Sequence, residues 1–208
     1  MMHVVYVHGL WMPGDESLIL RRRLAADFGL TLHPFRYLAT GTMSSITARL
    51  ANFVGELKLP GVHFVGHSLG GLVIHRFLEQ FPQPPGGNAV FLGTPCVGSR
   101  AAERAARFGP VAQLMGQSVA EELLQPRARS WTHARPLGIV AGTQPIGMGQ
   151  LLAGFAEDND GTIGVSETRM PGATDHIALP VSHLGMLMSA RVARETGLFL
   201  TQGHFSLR

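Results

Sequence analysis

Apolar positions along this chain alternate between short continuous runs and stripes at helical spacing. His3 to Val7 is a β-branched and aromatic run, too short for a helix and closed by His8-Gly9, which reads as a buried parallel strand. Asp15 to Phe28 places Leu18, Ile19, Leu24 and Phe28 near helical spacing behind two acidic residues suited to a first turn. A second strand is predicted over Leu30 to Tyr37, and Ser44 to Leu57 gathers Ile46, Leu50, Phe53, Val54 and Leu57 on one helical stripe. Gly61 to Val65 is the next strand, a helix runs from Ser68 to about Phe81 before Pro82, and Ala89 to Gly93 is a fourth strand. Strand and helix alternate, which predicts a parallel sheet with right-handed crossovers and helices on both faces.

Beyond Thr94-Pro95 the pattern changes. Ser99 to Trp131 reads as polar and helical, with Arg100, Arg104 and Arg107 on a solvent face and a second short helix over Val119 to Leu124. Leu137 to Ala141 is a further strand, and Gln144 to Phe155 lacks clean periodicity, so a loop or short mobile helix is expected there. Ile177 to Leu179 reads as a last short strand and Leu184 to about Leu200 as a closing helix. The expectation is an α/β fold with a mainly parallel central sheet of about six strands.

Composition narrows this picture. With 208 residues and 45% hydrophobic content, the chain suits a single domain spanning residues 1–208 around one sizeable core. A net charge of +3 without a long basic tract gives no nucleic-acid groove, and Arg21-Arg22-Arg23 is read as a solvated helix face. The single cysteine, Cys96, excludes an internal disulfide framework and is read as a small buried apolar residue. Met1-Met2 runs straight into a strand-like segment with no charged n-region, long apolar h-region or cleavage site, so a cytoplasmic location is expected. No apolar stretch reaches the roughly 18 residues of a membrane span.

The chemistry centres on Gly66-His67-Ser68-Leu69-Gly70, set between an apolar strand and an apolar helix. G-x-S-x-G at such a junction is the nucleophile elbow, a reversal so sharp that the serine is strained and its Oγ exposed, with glycines where a Cβ would strike a neighbouring element. Ser68 also opens a helix, whose free N–H groups favour developing negative charge. A serine hydroxyl needs a base oriented by a carboxylate, and in proteins that carry the serine on a G-x-S-x-G elbow the partners follow in chain order Ser, acid, His. After Ser68 the aspartates are Asp158, Asp160 and Asp175, and the base candidates are His176, His183 and His204. The acid is expected beyond the strand ending near Ala141, in the Asp158-Asn159-Asp160-Gly161 turn. Asp160 is favoured because Asp-Gly supplies a tight turn. The base is expected after the final strand, which favours His183; Glu157 and Glu167 are outside alternatives for the acid. Two oxyanion donors are required, and the Leu69 and Leu10 amides are the candidates.

The remaining histidines enter differently. His67 is expected to pack beneath the elbow and His8 to hold its loop. His3, His33, His63, His75 and His133 show no ligand spacing, so no metal site and no cofactor are assigned. Trp11, Met12, Phe108, Met115, Met148, Leu151 and Phe155 are candidates for an apolar acyl pocket.

Taken together, Val5-Tyr6-Val7-His8-Gly9-Leu10, the elbow with Gly71, Leu92-Gly93-Thr94-Pro95, Asn159-Asp160-Gly161-Thr162-Ile163 and Pro180-Val181-Ser182-His183 resemble the lipase-like branch of the α/β-hydrolase superfamily. That branch includes bacterial triacylglycerol lipases and GPI inositol-deacylase-like esterases. The resemblance implies an α/β-hydrolase fold and hydrolysis of small-molecule or lipid-type acyl esters, with Ser68 as nucleophile, Asp160 as acid and His183 as base. The short stretch between Gly93 and Leu137 implies a minimal lid domain or none. Thioester cleavage or acyl transfer would use the same machinery, and a non-catalytic binding protein on the fold is the competing class.

Overall fold

The computed structural model describes residues 2–81, 86–106, 116–124, 128–147 and 154–206. Six strands form one parallel sheet: β1 (Met2–Val7), β2 (Leu30–Phe35), β3 (His63–His67), β4 (Ala89–Leu92), β5 (Leu137–Gly142) and β6 (Asp175–Leu179). Their spatial order is β2-β1-β3-β4-β5-β6. The chain moves outward from β1 to β2, then crosses back over β1 to reach β3. The order therefore reverses between β1 and β3, where open α/β sheets leave a crevice at their carboxyl ends.

Helices α1 (Leu18–Phe28), α2 (Met43–Glu56), α3 (Leu69–Gln80), α4 (Arg100–Ala106), α5 (Gln117–Leu123) and α6 (Ala190–Gln202) cover both faces. Strand alternation divides the buried residues into two cores. Val5, Val7, Phe64 and Phe91 meet Ile46 and Leu50 of α2 and Leu72, Val73 and Phe77 of α3 on one side. Val4, Tyr6, Val65 and Val90 meet Leu20 and Leu24 of α1 and Val192, Phe199 and Leu200 of α6 on the other. Each such apolar side chain contributes about 1.5–3 kcal/mol on burial, so the stripes hold the helices in place. Arg100 and Arg104 are exposed on α4, opposite buried Ala101, Ala102 and Ala105. Arg107 lies outside the described residues.

Several boundaries differ from the sequence expectation, each for a local reason. β2 stops at Phe35 because Tyr37 turns back to the β1 end, its N–H donating to His8 Nε2 at 3.2 Å. β3 runs on through Gly66 and His67 to the elbow, and β6 begins at Asp175, paired with Gly138. The segment expected to open the closing helix makes instead a 3₁₀ turn at Gly185–Leu187. Ser189 then caps α6, its side chain accepting from the Val192 N–H at 3.3 Å. Among the described residues, no helix is long and apolar enough to cross a membrane.

Candidate active site

Ser68 joins β3 to α3 with φ 53° and ψ −123°. Positive φ in a serine costs about 1–3 kcal/mol and persists only where the surroundings enforce it. The enforcement here acts on the Ser68 backbone, from two main-chain groups and one hydroxyl. The Ser68 N–H donates to the Leu92 carbonyl at 2.9 Å, and its own carbonyl accepts the Gly71 N–H at 3.1 Å and the Thr94 hydroxyl at 3.0 Å. No side chain fits at the two motif glycines. A Cβ on Gly66 would lie 2.5 Å from the Gly71 nitrogen, and one on Gly70 would lie 2.1 Å from the Val7 carbonyl oxygen.

Asp160 and His183 sit on loops after β5 and β6, at the same end of the sheet as Ser68. His183 Nδ1 is 2.6 Å from Asp160 Oδ2, with Asp160 fully buried and His183 nearly so. The other carboxylate oxygen accepts the Thr162 N–H at 2.9 Å and the Ile163 N–H at 2.7 Å. The Asp-Gly turn thus aims the carboxylate inward while its own amides fix it. With Nδ1 donating to Asp160, His183 keeps Nε2 as its acceptor.

Short loops tie this pair to Ser68. Gly93, at φ +56°, passes so close that a Cβ there would lie 3.0 Å from both Asp160 Oδ2 and His183 Nδ1, and its neighbour Thr94 holds the Ser68 carbonyl. From the β1 side, a Cβ on Gly9 would lie 3.0 Å from Ser68 Cβ. His8 stacks on Tyr37 with ring centroids 4.3 Å apart, and its Nδ1 donates to the Gly9 carbonyl at 2.8 Å while Nε2 accepts from Tyr37. Both His8 nitrogens are committed, and burial pushes its pKa below the usual histidine value.

Trp11 and Met12 line an apolar cavity of about 300 Å³ beside that loop, with Leu10, Tyr37, Leu38 and Ala39. Trp11 is 68% exposed at the rim. Met148, Leu151, Phe108 and Met115 lie outside the described residues.

The other sequence candidates go elsewhere. Asp158 is exposed. Asp175 accepts the His176 and Phe205 N–H groups at 2.9 and 3.0 Å, and His176 Nε2 meets the Thr168 hydroxyl. His204 is exposed near the end of α6. Glu167 accepts the Arg100 and Gly164 N–H groups, both at 2.7 Å, stapling α4 to the Asp160 loop. Cys96 is fully buried, and desolvation pushes its thiol to about 12, so it is inert. Among the described residues, no group of three His, Cys, Asp or Glu could hold a metal ion.

Sequence reading missed Glu16, which accepts the Tyr6 hydroxyl at 3.1 Å and the Gly14 N–H at 2.7 Å and so folds the Leu10–Gly14 loop back on the sheet. A first-turn glutamate carries no mark of that task. It also missed the bond between His67 and the His183 carbonyl, at 3.0 Å.

No protein-family model matches the chain, and no curated protein matches it. Solved structures do. The mature Bacillus licheniformis lipase BlEst2 superposes with a TM-score of 0.78 at 19% identity, covering 98% of this chain and 92% of that one. The RedJ thioesterase of prodiginine biosynthesis in Streptomyces coelicolor gives 0.62 at 15%, with 94% and 84% covered. The Bacillus subtilis carboxylesterase CesB gives 0.60 at 13%, with 98% and 85% covered. At these identities the likeness concerns architecture, and the fold of this chain is that of the α/β-hydrolases.

Proposed function

We propose that the protein is a serine hydrolase acting on carboxylic esters of small or medium acyl chains through an acyl-enzyme. The observation that carries this reading is the buried Asp160–His183 pair, 2.6 Å apart, at the same sheet end as a serine held at positive φ. Ser68 is the nucleophile. As its Oγ bonds to the ester carbonyl carbon, its proton passes to His183 Nε2, and the carbonyl π electrons move to the oxygen. Asp160 holds the imidazole in the required tautomer and stabilises the imidazolium. When the tetrahedral centre collapses, the bond to the alcohol oxygen breaks and His183 returns the proton to that oxygen. Water then repeats the sequence and releases the acid.

The oxyanion is received by the Leu69 and Leu10 amides in this reading. Leu69 is the first residue of α3, where backbone N–H groups point out of the helix end. The Gly9–Leu10 peptide is planar and trans, so His8 Nδ1–H on the Gly9 carbonyl also fixes the opposite direction of the Leu10 N–H. The apolar cavity by Trp11 and Met12 supports an acyl chain of modest length, since about 300 Å³ equals roughly ten water volumes. Resemblance in fold to both esterases and a thioesterase makes oxygen and sulfur esters the two substrate types to compare.

A fluorophosphonate probe tests the reading. Labelling of the folded protein that disappears in Ser68→Ala is expected, and unlabelled wild-type protein, or label that persists in the variant, removes the hydrolase assignment. A chain-length series of acyl esters and thioesters, compared by kcat/KM, then fixes the leaving-group class.

A further inference from the structure

The elbow motif leaves position 67 unspecified, yet the side chain there is completely buried. His67 Nε2 lies 3.0 Å from the His183 carbonyl oxygen. A carbonyl only accepts, so the ring carries its hydrogen on Nε2 and leaves Nδ1 bare. Nδ1 is buried without a hydrogen-bond partner. An orphaned buried nitrogen is a cost that an apolar ring of the same shape would not incur. What offsets it is the bond at the other side of the ring.

That bond completes a grip on the main chain of His183. The His183 N–H donates to the Asp160 carbonyl at 2.8 Å, and its carbonyl accepts from His67, so both its backbone groups are held. The two imidazoles also touch, with centroids 4.7 Å apart and planes inclined by 47°. His67 directly precedes Ser68, so the bond runs from the serine's own strand to the base.

We propose that His67 is a positioning residue which, by holding the His183 carbonyl from the position next to Ser68, sets the separation of nucleophile and base. This rests on the Ser68–His183 chemistry proposed above. His67 itself transfers no proton. Burial, with the neighbouring His183 and His8 acting in the same direction, brings its pKa down to about 3. The ring therefore adds no charge beside the imidazolium that forms on His183. Two supports then orient the base: the Asp160 carboxylate sets its ring, and His67 sets the backbone from which that ring projects.

The test compares wild type, His67→Phe and His67→Gln, with Ser68→Ala as reference, using acyl-ester turnover. The phenylalanine keeps a ring and loses the donor, whereas the glutamine amide restores a donor near the Nε2 position. Because a displacement of about 1 Å can cost about 100-fold in rate, His67→Phe is expected to lower kcat by about 10- to 100-fold. KM should change little, and His67→Gln should recover most of the loss. A His67→Phe kcat equal to wild type, or equal losses in both variants, overturns the proposal while leaving the hydrolase reading intact. Turnover that survives Ser68→Ala would instead remove the reading beneath it. Should His67→Phe fail to fold, histidine-selective ¹⁵N NMR of the unaltered protein at pH 5 decides the matter. A neutral Nε2–H ring at position 67 is expected, and an Nδ1–H tautomer or a doubly protonated ring overturns the proposal.

Discussion

Asp160 and His183 are joined twice: the His183 N–H donates to the Asp160 carbonyl at 2.8 Å, and their side chains meet at 2.6 Å. The backbone bond brings the two loops together whether or not the side chains interact, so a change to the carboxylate alone leaves the loops docked. Asp160→Asn is the informative substitution for that reason. Its amide oxygen still accepts from Thr162 and Ile163, but its NH₂ would face Nδ1 and favour the wrong imidazole tautomer. The expected result is a fall in kcat of about 10⁴-fold with an unchanged melting temperature. Asp158→Asn, on an exposed neighbour, should leave kcat/KM unaltered. Equal effects from the two variants would count against Asp160 as the acid.

The cavity beside the Gly9–Leu10 loop makes a prediction about chain length. Ala39 lines it from the loop after β2, and Ala39→Phe would occupy much of its 300 Å³. Acetyl esters should be hydrolysed nearly as before, while kcat/KM for octanoyl esters should fall by more than about tenfold, within the 10–200-fold range of pocket discrimination. Parallel loss on both substrates would mean that the acyl chain lies elsewhere.

Glu122 and Arg129 form an ion pair of 2.8 Å, both almost fully buried, and Arg129 Nη1 also donates to the Cys96 carbonyl at 3.1 Å. The pair fastens α5 near the loop that follows β4. Arg76 Nε also lies 3.0 Å from Glu122 Oε1, so Arg129→Met leaves the buried carboxylate with one of its two cationic partners and should cost up to about 3 kcal/mol in urea unfolding. Glu122→Leu combined with Arg129→Met, in which Arg76 keeps Glu79 at 2.9 Å, should cost less. A single variant as stable as wild type would show that the pair contributes little.

Acid sensitivity follows from the buried histidines. Burial lowers the pKa of His8, His75 and His176, and brings His67 to about 3. In the unfolded chain a histidine takes its proton near pH 6.5, so below that value the unfolded state binds more protons than the folded one. Stability is therefore fully present above about pH 6.5 and falls as the pH drops, by up to about 1.4 kcal/mol per unit for His67 alone until its folded-state pKa is reached. Denaturant unfolding at pH 7.5, 6 and 5 should show this slope, and His67→Gln should flatten it. Equal stability at all three values would contradict neutral burial.

Much of the fold is legible because the strand pattern carries it. Val4 and Tyr6 against Val5 and Val7 is the alternation that divides the two cores, and the elbow announces itself by two glycines that admit no Cβ. Chain order brings Asp160 and His183 forward as a pair, because only three aspartates follow Ser68 and His183 stands just after the final strand. Less visible is anything decided by one hydrogen bond between distant segments. Leu184 continues an apolar helical pattern, yet Ser189 moves the helix start to Ala190 by satisfying a first-turn N–H. His67 and Glu16 look ordinary in sequence, since what distinguishes them is a carbonyl 116 residues away and the turn of a loop.

The contact of Gly70 with the Val7 carbonyl has a consequence for redesign. Where a methyl group would stand 2.1 Å from main chain, neither β1 nor α3 can yield separately, so the mounting of Ser68 has no mutational slack. Chemistry on this scaffold is hard to tune from beneath. Residues 11–13 and 38–40, by contrast, stand at strand ends with side chains partly in solvent. A library confined to those segments would vary substrate scope while inheriting an intact reaction centre, and one spread over the elbow would return mostly unfolded chains.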